Sequence, residues 1–216
     1  MPSDRYDVVI IGNGITGLVT ARLFGALTAN VAIICLPKKK STDCAREKGN
    51  SRHYSIIESS KRLLDSIGAW SEIGRGNIGH YKKIEVWDSA SEGYLSFNTP
   101  LGYCGQMGWI VDESLLHDVL NATTTNIHRY WSTVELESNN EAGVKMLLPS
   151  YGKLFSQLVV VADGKNSTIQ NDLGLSLRSV SYDQIGLVTN ISTEAPHTNT
   201  ARQWFSDSGI LAFLPK

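Results

Sequence analysis

Residues 6–17 read YDVVIIGNGITG: an apolar run, then Gly12, Gly14 and Gly17 in the spacing GxGxxG, with the apolar-periodic stretch LVTARLFGAL following at 18–27. A strand, a tight glycine turn and a helix start in this order predict a nucleotide cradle. Backbone N–H groups and the positive end of the helix dipole then face a dinucleotide pyrophosphate. A side chain at Gly12 or Gly14 would stand where the phosphates approach, and one at Gly17 would push the helix off its strand. The four β-branched residues at 8–11 suit a strand buried on both faces of a parallel sheet, and residues 31–34, VAII, supply a second such strand after the helix. This context is what separates the cradle from a glycine-rich turn of purely structural origin.

An acidic residue is expected at the end of the second strand, where a carboxylate holds the adenosine ribose hydroxyls. Cys35 stands there instead, followed by Leu36, Pro37 and Lys38 to Lys40. Those three lysines either form a solvated basic loop or attract a 2′-phosphate, so an NADP-binding module stays open as a second reading.

Farther along, residues 51–70 place Ile56, Ile57, Leu63, Leu64 and Ile67 at helical spacing, with Gly68 as the stop and Arg52 just in front. Arg52 there either serves nearby backbone and acidic groups or reaches a pyrophosphate bidentately. From Tyr81 the period changes to alternation, through KKIEVWD and YLSF around the turn-like residues 89–93, which predicts an antiparallel hairpin. Asp112 is placed to cap a helix over 113–120, next to a short strand at 109–111. Three further strands are expected at 127–137, 143–148 and 153–161, the first two separated by the polar residues 138–141. The last strand runs into VVVADGKNS, which delivers Asp163 and Gly164 to the carboxyl edge of the sheet, where open α/β folds bind ligands. An Asp-Gly after a strand can be a plain turn. Two such strand ends about 150 residues apart favour one shared ligand.

Composition narrows the classes. A net charge of −1 gives no electrostatic reason to expect nucleic acid or an anionic membrane as partner. No apolar run reaches the ~18 residues a spanning helix requires, and MPSDRYD lacks a signal-peptide core. Cys35, Cys44 and Cys104 form no CxxC pair, so neither a disulfide framework nor a zinc site is expected, and reduced cytoplasm is the simplest home. The five histidines, His53, His80, His117, His128 and His197, show no metal spacing and are read as packing or surface residues. No serine sits in a GxSxG setting, which leaves a triad hydrolase without support.

Taken in order, YDVVIIGNGITG, Arg52 ahead of SSKRLLDSIGAW, IEVWD, GWIVDESLL, LVVVADGKNSTI and GILAFLPK resemble the flavin-dependent aromatic hydroxylases of ubiquinone biosynthesis, within the para-hydroxybenzoate hydroxylase-like monooxygenases. The likeness runs from Tyr6 to Pro215. It implies an α/β fold: a Rossmann-like FAD-binding parallel sheet with helices, interleaved with a β-rich substrate domain. Residues 1–71 and 111–175 would form the two parts of the FAD domain. Residues 72–110 would supply a substrate-domain hairpin region and residues 176–216 a substrate-domain sheet.

The resemblance assigns FAD binding to Gly12, Gly14, Ile15 and Gly17 through backbone contacts, and to Arg52 along the ribityl and phosphate portion. Cys35 takes the ribose position, Asp112 a polar position near the flavin, Val134 a backbone contact to adenine, and Asp163 with Gly164 the second fingerprint, which also touches the reductant. It implies NAD(P)H as co-substrate and O2 activation through a flavin C4a-hydroperoxide. The implied substrate is a polyprenylated phenol, reached in a multiprotein ubiquinone-synthesis complex with peripheral contact at the inner face of the membrane. No general base and no metal ligand are assigned. Trp204, Phe205, Leu211 and Phe213 are either substrate-side walls or plain sheet core.

Two departures qualify the likeness. Cys35 replaces the family's ribose-binding Glu, a loss of about 1.5–3 kcal/mol, or roughly ten- to hundredfold in affinity, and Gln170 stands where the family has Arg. The family also continues past the position of Lys216 into a third FAD fingerprint. A fragment of a longer monooxygenase, or a shortened homologue without catalysis acting in a biosynthetic complex, is therefore expected.

Overall fold

The computed structural model describes residues 4–27, 29–37, 52–99, 105–122, 127–165, 167–176 and 178–216. Lys38 to Lys40, Cys44 and Cys104 lie outside the described residues. In chain order the elements begin with β1 (Arg5–Ile11), α1 (Ile15–Ala26), β2 (Val31–Cys35), β3 (His53–Ile56) and α2 (Glu58–Ser66). They continue with β4 (Ile78–Tyr81), β5 (Lys83–Asp88), β6 (Tyr94–Asn98), β7 (Gly108–Asp112), α3 (Glu113–Ala122), β8 (His128–Trp131) and β9 (Glu135–Asn140). The last are β10 (Gly143–Leu148), β11 (Gly152–Val161), α4 (Thr168–Asp172), β12 (Thr200–Ser206) and β13 (Gly209–Phe213). The chain divides into two compact units, one made of residues 1–45 and 117–186, the other of residues 46–116 and 187–216.

The first unit is built on a six-stranded sheet in the order β8-β2-β1-β11-β10-β9. Its four strands β8, β2, β1 and β11 are mutually parallel, as the apolar runs predict. Val8, Val9, Ile10 and Ile11 are all buried, because a strand in the middle of such a sheet has no solvent face. Strands β9, β10 and β11 run antiparallel, since connections as short as residues 141–142 and 149–151 leave no room for the crossover that parallel pairing needs. Tyr6, Val9, Ile11, Ala32, Ile34 and Met146 belong to the main core cluster of this sheet. Helix α1 buries Gly17, Leu18 and Ala21. At the opposite end of β1 from the glycine turn, the buried Tyr6 hydroxyl bonds Tyr130 Oη (2.6 Å) and His128 Nδ1 (2.8 Å).

The stretch 127–137 is not one strand. It breaks at residues 132–134 because β8 pairs with β2 while β9 pairs with β10, at opposite sides of the sheet. The polar residues 138–140 continue β9 rather than separating two strands, and the turn falls at 141–142, where the backbone of Gly143 takes φ +128°.

The second unit contains a three-stranded sheet, β3-β7-β4, and a four-stranded sheet, β13-β12-β5-β6. The hairpin of β5 and β6 and the sequence of β7 into α3 follow the expectation. The helix expected over 51–70 does not. Residues 53–56 are drawn into strand β3 by antiparallel pairing with β7, Ile57 remains extended (φ −87°, ψ 166°), and α2 begins only at Glu58. Arg52 thus precedes a strand, not a helix. Gly68 does close the helical region, with φ +70°. The substrate-side sheet expected from 176 onward begins only at Thr200. Residues 178–192 form no regular element, and Tyr182, Ile185 and Leu187 are exposed. Trp204 stacks on Trp87 across the β12–β5 pair at a centroid distance of 4.7 Å, and Phe213 meets Trp204 edge-on at 5.5 Å.

Candidate functional site

The glycine turn after β1 owes its shape to the end of β11. Gly12 takes φ +111°, a conformation that side chains disfavour. Its N–H bonds Ile34 O at 2.9 Å, and Ala162 N–H bonds Ile11 O at 2.7 Å. A Cβ on Gly12 would overlap the Ala162 carbonyl and come within 2.9 Å of Asp163 Cα. The turn after β1 and the turn after β11 are therefore packed backbone to backbone, and Gly12, Asp163 and Gly164 share one edge of the sheet. A Cβ on Gly17 would overlap the carbonyl oxygen of Gly12, so the third glycine lets α1 start directly over the turn.

Gly14 is different in kind. Its backbone is ordinary (φ −72°, ψ 176°) and nothing lies within 4 Å of where its Cβ would be. Packing gives no reason for a glycine there, whereas open space in front of a helix start does if another molecule must approach. Gly14 is the N-cap of α1, it offers no side-chain cap bond, and the first turn holds no acidic residue. The opening N–H groups of a helix have no partner within it, so those of Ile15, Thr16 and Gly17 form an electropositive donor set. The twelve-residue helix behind them supplies the dipole. This donor set matches a diphosphate.

His117 reaches the same turn: its Nε2 lies 3.0 Å from Asn13 O. Sequence reasoning missed it, because the two residues are more than a hundred positions apart and an isolated histidine carries no local signal. Cys35 ends β2 next to Ile34, with no exposed surface. Burial holds its thiol above the ordinary range, against a smaller opposing influence from Arg129, so it stands as a neutral thiol where an acid was expected. Val134 is partly buried and packs its side chain against the main core cluster. Ser167 Oγ accepts from Gln170 N at 3.0 Å and starts α4 just past Gly164, which has φ +90°.

Arg52 and Asp112 belong to the second unit and lie together there. Arg52 O accepts from Glu113 N at 2.8 Å, and Asp112 Oδ1 accepts from Ser114 N (2.8 Å) and Leu115 N (3.1 Å), the capping geometry expected for α3. Asp112 and Leu115 also line a cavity of about 340 Å3 together with residues 76–79. Among the described residues no group of three His, Cys, Asp or Glu side chains could hold a metal ion, and no helix is long and apolar enough to cross a membrane.

Comparison with known proteins agrees with this geometry. The model of a family described as FAD binding domain matches residues 5–212. The chain is 27% identical to the mitochondrial ubiquinone biosynthesis monooxygenase COQ6 of Xenopus tropicalis, over 97% of this chain and 49% of the relative. It is 28% identical to the ubiquinone hydroxylase UbiL of Rhodospirillum rubrum, again over 97% and 49%. The chain thus spans about half the length of the curated relatives it matches. Among solved structures, PqsL of Pseudomonas aeruginosa, described as a probable FAD-dependent monooxygenase, superposes with a TM-score of 0.62 at 19% identity, over 82% of this chain and 48% of that one. The p-nitrophenol 4-monooxygenase PnpA of Pseudomonas putida gives 0.60 at 17% identity, over 82% and 45%. At such identities these two establish the fold.

Proposed function

The chain belongs to the family of FAD binding domains, and from that premise we propose that it carries the cofactor-binding part of an FAD-dependent monooxygenase that hydroxylates the aromatic ring of a polyprenyl phenol in ubiquinone biosynthesis. The observation that carries the cofactor half of this reading is the contrast between Gly12 and Gly17, which backbone contacts require, and Gly14, which faces open space at the start of α1 and leaves three helix N–H donors accessible. The substrate half is supported by the names of the COQ6 and UbiL relatives.

The N–H groups of Ile15, Thr16 and Gly17 would hold the pyrophosphate, with the α1 dipole adding attraction for its negative charge. Ala162 and Asp163, packed against Gly12 and followed by Gly164, close the same edge of the sheet. Cys35 carries no carboxylate and has no exposed surface, so backbone groups carry the recognition that a carboxylate provides in other dinucleotide sites. Bound FAD would supply the redox chemistry, accepting reducing equivalents from NAD(P)H and activating O2 for transfer to an electron-rich ring. The protein's own task is to position that group and keep water from it. Arg52 and Asp112 are assigned as further FAD contacts. A reduced compartment and a peripheral place at a membrane face, within a multiprotein complex, belong to the same proposal.

Titration of the purified chain with FAD, followed by flavin fluorescence, tests this directly. Gly14→Val should lower the thermal midpoint by only a few degrees, the cost of a poorer N-cap with no clash at its Cβ, while weakening FAD binding at least about tenfold by occupying the space in front of three donors. Equal FAD affinity in the variant, or binding of NADP in preference to FAD, would overturn the assignment.

A further inference from the structure

His117 is bonded to the glycine turn, and the proposed function gives that bond no part. Its Nε2 lies 3.0 Å from the carbonyl oxygen of Asn13, the residue between Gly12 and Gly14. Both residues belong to the first compact unit. A carbonyl only accepts, so Nε2 carries the proton, as it does in the imidazolium and in one neutral tautomer. The other ring nitrogen, Nδ1, stays 3.7 Å from Asp118 Oδ1, too long for a hydrogen bond. Among the described residues the one short polar contact of this side chain is with the turn.

The turn has few other anchors. Gly12 N–H is held by Ile34 O at 2.9 Å, and Gly14 O accepts from Leu18 N at 2.9 Å, at the start of α1. Between these two bonds lies the peptide plane that joins Asn13 to Gly14. Glycine on either side of Asn13 removes two of the side chains that ordinarily restrict backbone rotation. Among the described residues His117 is the only side chain bonded to residues 12–14, and it holds that plane by its oxygen. The peptide is planar and trans, so fixing the direction of Asn13 C=O fixes the opposite direction of Gly14 N–H and the place of Gly14, the N-cap of α1. Where the helix begins decides where the N–H groups of Ile15, Thr16 and Gly17 point. His117 is itself held by α3, whose Leu120, three residues on, is fully buried.

We propose that His117 is a positioning residue for the phosphate-binding turn: its Nε2–H holds the Asn13–Gly14 peptide so that the α1 donors meet a diphosphate already aligned. This rests on the reading that the turn binds FAD. His117 itself touches no ligand and acts through Asn13.

FAD affinity, ADP affinity and the thermal midpoint are measured for the wild-type chain, His117→Leu, His117→Gln and Tyr6→Phe. ADP carries the diphosphate without the flavin. Gln offers an amide N–H at about the reach of Nε2. Tyr6→Phe removes a hydrogen bond of the same sheet at the far end of β1, so it reports what a general loss of stability does to binding. His117→Leu should weaken FAD and ADP alike, about three- to tenfold, the size of one lost hydrogen bond. His117→Gln should return to within about twofold of wild type, and Tyr6→Phe should lower the midpoint with both affinities unchanged. Wild-type affinity in His117→Leu would overturn the inference, as would an equal loss of affinity in Tyr6→Phe or no recovery in His117→Gln. A wild-type chain that binds ADP but not FAD refutes the flavin assignment, and His117 is then judged on ADP. A chain that binds neither refutes both.

Discussion

In the six-stranded sheet Val9, Ile10, Ile11, Ile33 and Ile34 have no exposed surface, whereas in the four-stranded sheet Leu95, Ile210 and Leu211 stay 60%, 62% and 55% exposed. Both regions are rich in β-branched and aromatic residues, so composition does not separate them. What differs is the number of covered faces. Strand β2 is buried along its whole length and β1 from Val8 to Ile11, and their side chains draw stability from burial at roughly 25 cal/mol per Å2 of apolar surface. In the other sheet, strands β12 and β5 are held by their ladders, by the Trp87–Trp204 stack, and by a polar cluster in which Glu85 accepts from Lys83 Nζ (2.6 Å) and Tyr94 Oη (3.0 Å) and pairs with Arg202 Nε (3.3 Å). Its β13 edge exposes every residue. One sheet is stabilised by what it hides, the other by contacts along its surface.

The sharpest way to break this contrast is to compare glycines. Gly17→Val should cost more than about 4 kcal/mol in urea unfolding, because its Cβ would overlap the Gly12 carbonyl and the backbone must move. Gly209→Ala, with φ +138° but nothing near its Cβ, should cost only about 1–3 kcal/mol of conformational strain. Equal losses would mean that the turn after β1 relaxes freely.

Next in size is a pair of isoleucines. Ile33→Ala should lower stability by about 2–5 kcal/mol through cavity formation, while Ile210→Ala, already 62% exposed, should fall within about 1 kcal/mol in the same denaturation assay. A comparable loss at both sites would show that the four-stranded sheet is covered in solution.

Smaller again is Tyr6→Phe. The hydroxyl is buried, and burial, with the hydrogen bond to Tyr130, holds it well above its usual pKa, so it stays protonated. Removing it leaves Tyr130 and His128 short of a partner, for an expected loss of about 1–3 kcal/mol. No change in the unfolding midpoint would show that water replaces it.

The smallest effect is one of pH. The Lys83 ammonium, and after it the Tyr94 hydroxyl, hold the Glu85 carboxyl below its ordinary range, although burial works in the other direction. A carboxylate with a depressed folded-state pKa contributes stability above its unfolded pKa, and that contribution disappears as pH falls through the lowered folded value. The second unit should therefore lose a little stability on the acid side of the ordinary carboxylate range, and Glu85→Gln should flatten the curve there. An unchanged acid limb in Glu85→Gln would show that solvent screens the cluster completely.

Legibility in the sequence follows the same division. The path from β1 through the glycine turn into α1, and the strand that ends just before Asp163, could be read because a buried strand announces itself as an unbroken apolar run and the turn requires glycine at position 12. The hairpin of β5 and β6 and the Asp112 cap could be read because both are local. Residues 53–56 could not, since their helical spacing yields to a partner strand more than fifty residues away. Nor could the break at 132–134, which exists because two different strands claim the two halves.

By itself the sequence determined that a nucleotide-type turn stands between a buried strand and a helix, because glycine spacing and apolar periodicity act over a few residues. Only the tertiary structure decided which glycine serves the backbone and which leaves room for a ligand, and that His117 reaches Asn13. Those are distances between residues far apart in the chain, and no local preference encodes them.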